Sequence, residues 1–439
     1  MSLHRGAVVR AAAAGAMALT SVASSAQELP LQGGWASSLL LRSFYDRLTP
    51  SVGRSRFGAL QAGQWSARAG QQLGELDIGE DVAVFGTLKL DGSGNAGNRT
   101  LVARDGSTSR REAWAYPAKA ALTLGGERAR VKAGFQVVDN PFLAPDETRA
   151  LPPTFRGLAA RLLPDAGWAM EGGVFNAVIA RGHVVAQGLS TSYGGTPVTR
   201  LEYAGVRRNS ETMEQSLYVG RADDVWCQAF SSTSVRLARS SLGTSRAKLN
   251  VYFTTGAGRE LQGPIRTTAA SLALSTGTPE ATVTLGMQKV FGDQFMDYLA
   301  ETNGIFLSNV YGGDYNAPHE QSVQLRLRSK GGWIGLPGLE LGAWITRGWK
   351  ADASAEAARH AEPFDALHGL YWRNGQPAQG ANREIGLRVA YRFDSGTLRD
   401  AQVLFITMSH RQSAAYPGSA YDKTQFVFQV PFGFGKGAS

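Results

Sequence analysis

The chain has 439 residues, 43% of them hydrophobic and 18% charged, with 53 glycines, one cysteine and a formal net charge of +9. That apolar and aromatic content excludes a disordered chain, and the lone Cys227 excludes a disulfide scaffold. Past the N-terminus no apolar run reaches the roughly 20 residues of a membrane-spanning helix. The length allows two or three soluble domains or one large sheet, and the abundance of glycine favours the sheet.

At the N-terminus, Arg5 and Arg10 precede the apolar stretch Ala11 to Leu19, and Ser24-Ser25-Ala26 places small residues before Gln27. This is the pattern of a cleaved export signal. Residues 1–26 are therefore expected to be removed, leaving residues 27–439 as a single exported, basic domain.

From there on the dominant signal is period two. Leu249, Val251 and Phe253 alternate with Lys248, Asn250 and Tyr252, and Val323, Leu325 and Leu327 alternate with Gln324, Arg326 and Arg328. Ile385, Leu387, Val389, Tyr391 and Phe393 alternate with Glu384, Gly386, Arg388, Ala390 and Arg392. The clearest strand is the last, where Phe426, Phe428, Val430, Phe432 and Phe434 share one face and Gln425, Val427, Gln429, Pro431 and Gly433 the other. A soluble sandwich also alternates, but seldom sets an aromatic face against one rich in glycine and arginine.

Polar clusters punctuate these runs: Asp91-Gly92-Ser93-Gly94-Asn95, Thr254-Thr255-Gly256, Thr276-Gly277-Thr278-Pro279 and Asp394-Ser395-Gly396. Short turns alternating with long polar loops are the rhythm of an outer-membrane β-barrel, and at about 23 residues per strand with its connection the length predicts about 18 strands. A transporter barrel of about 22 strands with a plug would need more chain. The alanine-rich segment Ala351 to His360 is expected to be a short helix in a long loop.

Several segments then match a known family. GMQKVFGDQFMDYL, GIFLSNVYGGDYNAPHEQS and GLPGLELGAWITRG follow one another between Gly286 and Gly348, and LLLRSFYDR, LKLDG, NPFLAPDETRALPPTFRG, DVWCQ and SHR extend the match across nearly the whole mature chain. The sequence resembles the OprD family of outer-membrane porins, also called outer-membrane carboxylate channels. The resemblance implies an all-β, 18-stranded barrel narrowed by inward-folded loops, monomeric or weakly trimeric. Its expected setting is the bacterial outer membrane, in contact with lipid and lipopolysaccharide. Its implied cargo is small anionic or zwitterionic solutes carrying a carboxylate, such as amino acids or aromatic acids. An arginine ladder would guide the carboxylate past a constriction of tyrosine and acid, an arrangement that focuses field in a narrow pore. A weakly selective general porin is the alternative.

Carried over residue by residue, the resemblance makes Arg42, Arg47 and Arg149 ladder members, with Arg156 beside the inward loop and Arg411 in the retained His410-Arg411 pair. For each arginine of the first group, a contact with solvent or lipopolysaccharide is the other reading. Strand parity, independently of the family, puts Arg326, Arg328, Arg388 and Arg392 on the lumenal face. The constriction residues are Asp297, Tyr298, Tyr311 and Asp314, with an aromatic girdle position as the alternative for Tyr298 and an Asx turn for Asp314. Two departures matter. Leu404 and Ile406 stand where the family carries an Arg-x-Arg pair, a loss Arg388 and Arg392 are expected to offset, and Asn303-Gly304 stand where an acid and a serine can occur.

No catalytic elbow, P-loop or zinc-binding histidine pair is present, so neither an enzyme nor a cofactor is expected. His360, Glu362, Asp365 and His368 read as a solvated loop, and Cys227 as an isolated wall residue. A barrel-embedded hydrolase would reveal itself by ester or phospholipid cleavage. Nucleic-acid binding is disfavoured because the arginines are spread over many strands without an aromatic-basic stripe. After Phe434, the expected terminal aromatic, comes the tail Gly435 to Ser439.

Overall fold

The computed structural model describes residues 34–92, 113–145, 149–165, 167–241, 243–303 and 305–435. The expected export segment, the residues Ser93 to Asn95, Gly304 and the tail from 436 lie outside them.

The alternating segments form one sheet of eighteen strands. The first nine are β1 (Gly34–Pro50), β2 (Arg56–Leu73), β3 (Leu76–Gly92), β4 (Ala113–Gly125), β5 (Ala129–Gln136), β6 (Thr154–Leu162), β7 (Trp168–Ile179), β8 (Leu201–Asn209) and β9 (Met213–Ala222). The second nine are β10 (Trp226–Ser240), β11 (Gly243–Gly256), β12 (Arg266–Gly277), β13 (Ala281–Phe291), β14 (Gln321–Gly331), β15 (Leu336–Asp352), β16 (Gln379–Arg392), β17 (Gln402–Gln412) and β18 (Tyr421–Gly435). Each barrel strand lies antiparallel to its neighbours in the chain. β1 pairs with β2 on one side and with β18 on the other, from Ala36↔Gly435 to Pro50↔Tyr421, so the sheet closes without a free edge. Thr254-Thr255-Gly256, expected as a turn, instead completes β11, because Thr254 and Thr255 stay in register with Thr267 and Arg266.

The barrel is inside out relative to a soluble protein. Phe426, Phe432 and Phe434 on the outer face of β18 are 41%, 42% and 49% exposed, whereas Gln425 and Gln429 on its inner face are each 4% exposed. The same holds for Leu325 and Leu327 against Gln324, and for Ile385 and Leu387 against Glu384. A continuous exposed belt of Leu, Val, Ile and Phe around a polar interior is stable only against hydrocarbon.

The connections sort by end. At one end lie the described residues of the connections 74–75, 126–128, 163–165, 210–212, 241, 278–280, 332–335 and 393–401; at the other lie those of the long segments 137–145 with 149–153, 180–200, 292–303 with 305–320, and 353–378. The last carries the helices Ser354–Arg359 and His368–Tyr371, where the alanine-rich segment predicts one. Segments 137–145, 149–153, 180–200, 292–303 and 305–320 fold inward and bury Phe142, Leu143, Leu189, Met296 and Leu299 against the inner wall. Glycine on the inner face makes room for large neighbours. A Cβ on Gly386 would stand 2.1 Å from the Trp344 ring, its cross-strand partner. Gly386→Val is expected to displace that indole and lower the midpoint of heat-modifiable unfolding, an overpacking cost of about 1–3 kcal/mol. An unchanged midpoint on semi-native gels would count against this packing.

Candidate functional site

The interior divides into a basic arc and a neutral, loop-covered arc. On the basic arc three inward carboxylates are each shared by more than one cation. Glu340 on β15 accepts from Arg328 on β14 at 2.6 Å and from Arg388 on β16. Register explains the convergence: Arg328 and Arg388 both pair with Gly342, two residues along β15 from Glu340 on the same face. Asp46 on β1 lies 3.6 Å from Arg149 and 3.8 Å from Lys423 on β18. Asp81 on β3 is met by Lys132 at 2.6 Å, Lys119 at 3.2 Å and Arg68 at 3.4 Å, reaching it from β5, β4 and β2. At these three acids, spread over the wall that runs from β14 through β18 and β1 to β5, cations exceed anions.

Across the interior, inward amides and hydroxyls of β10 to β14 carry an extended backbone. Asn250 donates to the Phe306 carbonyl at 2.6 Å, Gln288 to the carbonyls of Asp314 and Tyr315 at 3.0 and 2.8 Å, and Asn309 to Ser322 Oγ at 2.9 Å. The Ser308 amide donates to Ser271 Oγ at 3.0 Å. Buried backbone of an irregular segment needs such partners, which is why this arc is neutral and polar.

The segment 292–320 is in turn fastened to its neighbours. The Asp297 carboxyl accepts from the backbone amides of Tyr193 (2.9 Å), Ser192 (3.1 Å) and Gly194 (3.2 Å), from its own neighbour Tyr298 (2.8 Å) and from Gln262 Nε2 (3.1 Å). Burial pushes this carboxyl above its ordinary pKa while those donors pull the other way. The Tyr298 hydroxyl donates to Asp314 Oδ2 at 3.0 Å, and the Tyr193 hydroxyl lies 2.5 Å from the same oxygen. Burial first, and Asp314 second, hold both phenols well above their usual range, so they remain donors. The Tyr311 ring lies 4.8 Å from that of Trp344, inclined to it by 39°, with the Arg326 guanidinium 5.4 Å from the tyrosine ring. Arg181 reaches Glu301 at 2.7 Å, and Asn303 holds the carbonyls of Ala144 and Pro145 through its amide nitrogens.

Glu320, at the head of β14, is fully buried and accepts from the Tyr416 hydroxyl at 2.9 and 3.1 Å and from the Ala317 amide at 3.1 Å. Burial pushes its carboxyl from 4.5 up to about 8. The folded value exceeds the unfolded one, so its contribution is complete below the unfolded pKa and is lost as pH rises through about 8. Protease cleavage within 413–420 is therefore expected to increase from about pH 6 to about pH 9, and Glu320→Gln to flatten that dependence. Equal slopes for the two proteins would disprove it.

Residues 36–434 match the outer membrane porin, OprD family. The chain belongs to the OprD family of outer-membrane porins. Porin D of Pseudomonas aeruginosa is 26% identical over 407 residues, which is 90% of this chain and 89% of that protein. The porin-like protein GalP of Pseudomonas putida is 27% identical, covering 77% of this chain and 85% of its own length. The crystal structure of Pseudomonas aeruginosa OccD3 (OpdP) superposes with a TM-score of 0.79 at 26% identity, covering 92% of this chain and 94% of that one. The barrel thus stands in a bacterial outer membrane as a channel, its long connections at the extracellular end and its short turns at the periplasmic end.

Of the ladder residues expected from the OprD resemblance and from parity, Arg42, Arg149, Arg326, Arg328, Arg388 and Arg392 face the interior. Arg42 donates to the carbonyls of Arg149 and Ala150 at 3.0 and 3.3 Å and to Gln429 Oε1 at 3.1 Å, so it holds the inward loop as well as supplying charge. Arg392 stands at the periplasmic rim against Asp400. Three expectations fail. Arg47 falls on the outward parity of β1, opposite in phase to the buried Arg42, Phe44 and Asp46. Arg156 points outward beside a bulge at Asn176 of β7 and bonds that residue. Arg411 is outward on β17, its Nη2 shared between the two Asp422 carboxylate oxygens at 2.8 and 2.9 Å. Asp297, expected at the constriction, has its carboxyl buried against the backbone amides of Ser192, Tyr193 and Gly194. Sequence reasoning missed Lys423, Glu340, Tyr193 and the Arg68-Asp81-Lys119-Lys132 group. Parity with Gln425 and against Phe426 would have found Lys423; nothing local in a loop would have found Tyr193.

Proposed function

We propose that this OprD-family porin is a substrate-preferring diffusion channel for small carboxylate-bearing solutes, such as amino acids or aromatic acids. The observation that carries this reading is the sharing of Glu340, Asp46 and Asp81 by two, two and three cations. The bridging acids orient the cations and leave a net positive wall, and a passing carboxylate exchanges for part of that pairing without being trapped. Selective flux requires such weak, repeated binding. The tyrosines and acid of the opposite arc, Tyr193, Tyr298 and Asp314, offer contacts for the rest of the solute. The path would run past Arg42 and Arg149, then Arg326, Arg328 and Arg388, and out by Arg392.

Uptake of amino acids, aromatic carboxylates and neutral sugars into liposomes containing the purified porin tests the reading. Carboxylates are expected to enter faster than sugars of equal size, with the advantage shrinking as salt screens the wall. Equal size-scaled rates for all three classes would sink it in favour of a general porin.

A further inference from the structure

The outer wall carries a second arrangement of arginines that the channel does not use. Arg347 on β15 pairs in register with Arg383 on β16, and Arg383 pairs in register with Arg411 on β17. All three have outward parity, in phase with Ile345 and Ile385 and out of phase with the inward Thr346, Glu384 and His410. Neighbouring strands are about 4.8 Å apart, so three guanidinium groups occupy one row about 10 Å long. Like charges directly opposite on a sheet repel. Only Arg411 is answered, by Asp422 at 2.8 and 2.9 Å and by the carbonyls of His410 and Tyr421, each at 3.0 Å. Among the described residues no carboxylate pairs with Arg347 or Arg383.

The height of the row is informative. The next outward residues toward the periplasm are Ile345, Ile385 and Ser409, then Ala343, Leu387 and Thr407, then Leu341, Val389 and Phe405, again in register. Ile345, Ile385 and Leu387 are more than half exposed and belong to the lipid-facing belt. The arginine row thus stands at the extracellular edge of the hydrocarbon, where acyl chains give way to anionic headgroups. Guanidinium is the cation best shaped for bidentate contact with phosphate oxygens and is weakly hydrated at such an edge.

We propose that Arg347, Arg383 and Arg411 form a binding site for a phosphate group of lipopolysaccharide in the outer leaflet. Three guanidinium groups less one carboxylate leave an excess of two positive charges, which one phosphate of roughly −1.5 to −2 matches. The acyl chains of the same molecule lie on Ile345, Ile385 and Leu387 below. This site is independent of the carboxylate path, since none of its residues faces the lumen.

The test is native mass spectrometry of the full-length porin in detergent with three probes: lipopolysaccharide, the same lipopolysaccharide after phosphatase treatment, and inorganic phosphate. The expected result is about tenfold tighter binding of the phosphorylated lipid, lost in Arg347→Ala/Arg383→Ala and partly kept in the corresponding double lysine variant. Liposome uptake is expected to stay at the parent level in both variants. Arg383→Gln alone provides the reading if the double alanine variant does not assemble into a heat-modifiable barrel, and it should weaken binding in the same direction. Equal binding of the two lipids, unchanged binding by the variants, or inorganic phosphate binding as tightly as the lipid would each overturn the proposal.

Discussion

Asp297→Ala is expected to raise single-channel conductance several-fold and to make the open current noisy, with little change in the heat-modifiable melting of the barrel. The Asp297 carboxyl receives N–H groups from 192–194, from 298 and from Gln262 at once. Hydrogen bonds to a charged group are worth about 1.5–3 kcal/mol each, and leaving buried donors unmet adds a further penalty. Losing the carboxyl therefore removes several kcal/mol from the docking of two inward segments, when about 1.4 kcal/mol already shifts an equilibrium tenfold. The strands lose nothing, because their ladders close without these segments. Asp297→Asn keeps one acceptor oxygen but turns an NH2 group toward N–H donors, so its effect should be intermediate. Planar-bilayer recordings together with limited proteolysis of 180–200 and 292–320 measure both halves. Parental conductance and parental protease resistance in Asp297→Ala would reject the role of pin.

The barrel was legible because membrane and lumen impose opposite demands on successive residues. Phe426 to Phe434 on one face and Gln425 and Gln429 on the other can satisfy both only as one strand of a closed wall, and the rhythm of connections set the strand number near eighteen. Parity also placed Arg326, Arg328, Arg388 and Arg392 correctly, since a strand offers a side chain only two directions. It would equally have turned Arg47 and Arg411 outward, had phase been weighed above motif position: Arg47 is one residue off the phase of Arg42 and Asp46, and Arg411 one off that of His410. The loops were not legible in this way. Asp297 finds its partners 103 to 105 residues away at Ser192, Tyr193 and Gly194, and Tyr193 finds Asp314 at a separation of 121. Such contacts depend on how three segments meet inside the lumen, which no local pattern encodes. Charge sharing is likewise a property of register: Arg328, Glu340 and Arg388 stand on three strands and converge because both arginines pair with position 342, two residues from Glu340.

Register also ties the altered ladder to a pair of opposite predictions. Leu404 and Ile406 point into the lumen, 3% and 1% exposed, and pack with Met408, Val427 and Phe44 as an apolar stretch of wall. Ile406 pairs directly with Arg388, so the charge absent from β17 is present one strand away in the same row. We predict that Arg388→Ala with Arg392→Ala lowers carboxylate uptake by about tenfold, since even a pair at 4 Å and an effective dielectric of about 20 is worth about 4 kcal/mol before screening. Most of that loss should come from Arg388, because Arg392 is solvated at the rim and already paired with Asp400. Glu340→Gln should act in the other direction. It keeps the shape of the side chain but removes the carboxylate shared by Arg328 and Arg388, leaving both guanidinium groups available to a passing anion. Uptake at low salt should then rise, and it should approach the parental rate as the Debye length falls to about 3 Å near 1 M salt. At low solute concentration the rise would be largest; at high concentration tighter binding would slow release and reverse it, since conduction needs exit as much as entry. Reversal-potential measurements give anion selectivity, and liposome uptake gives flux. If Arg388→Ala with Arg392→Ala left both unchanged, the neighbouring strand would not be replacing the missing arginines. If Glu340→Gln lowered uptake at low salt and low solute concentration, the shared acids would be part of the path rather than a brake on it.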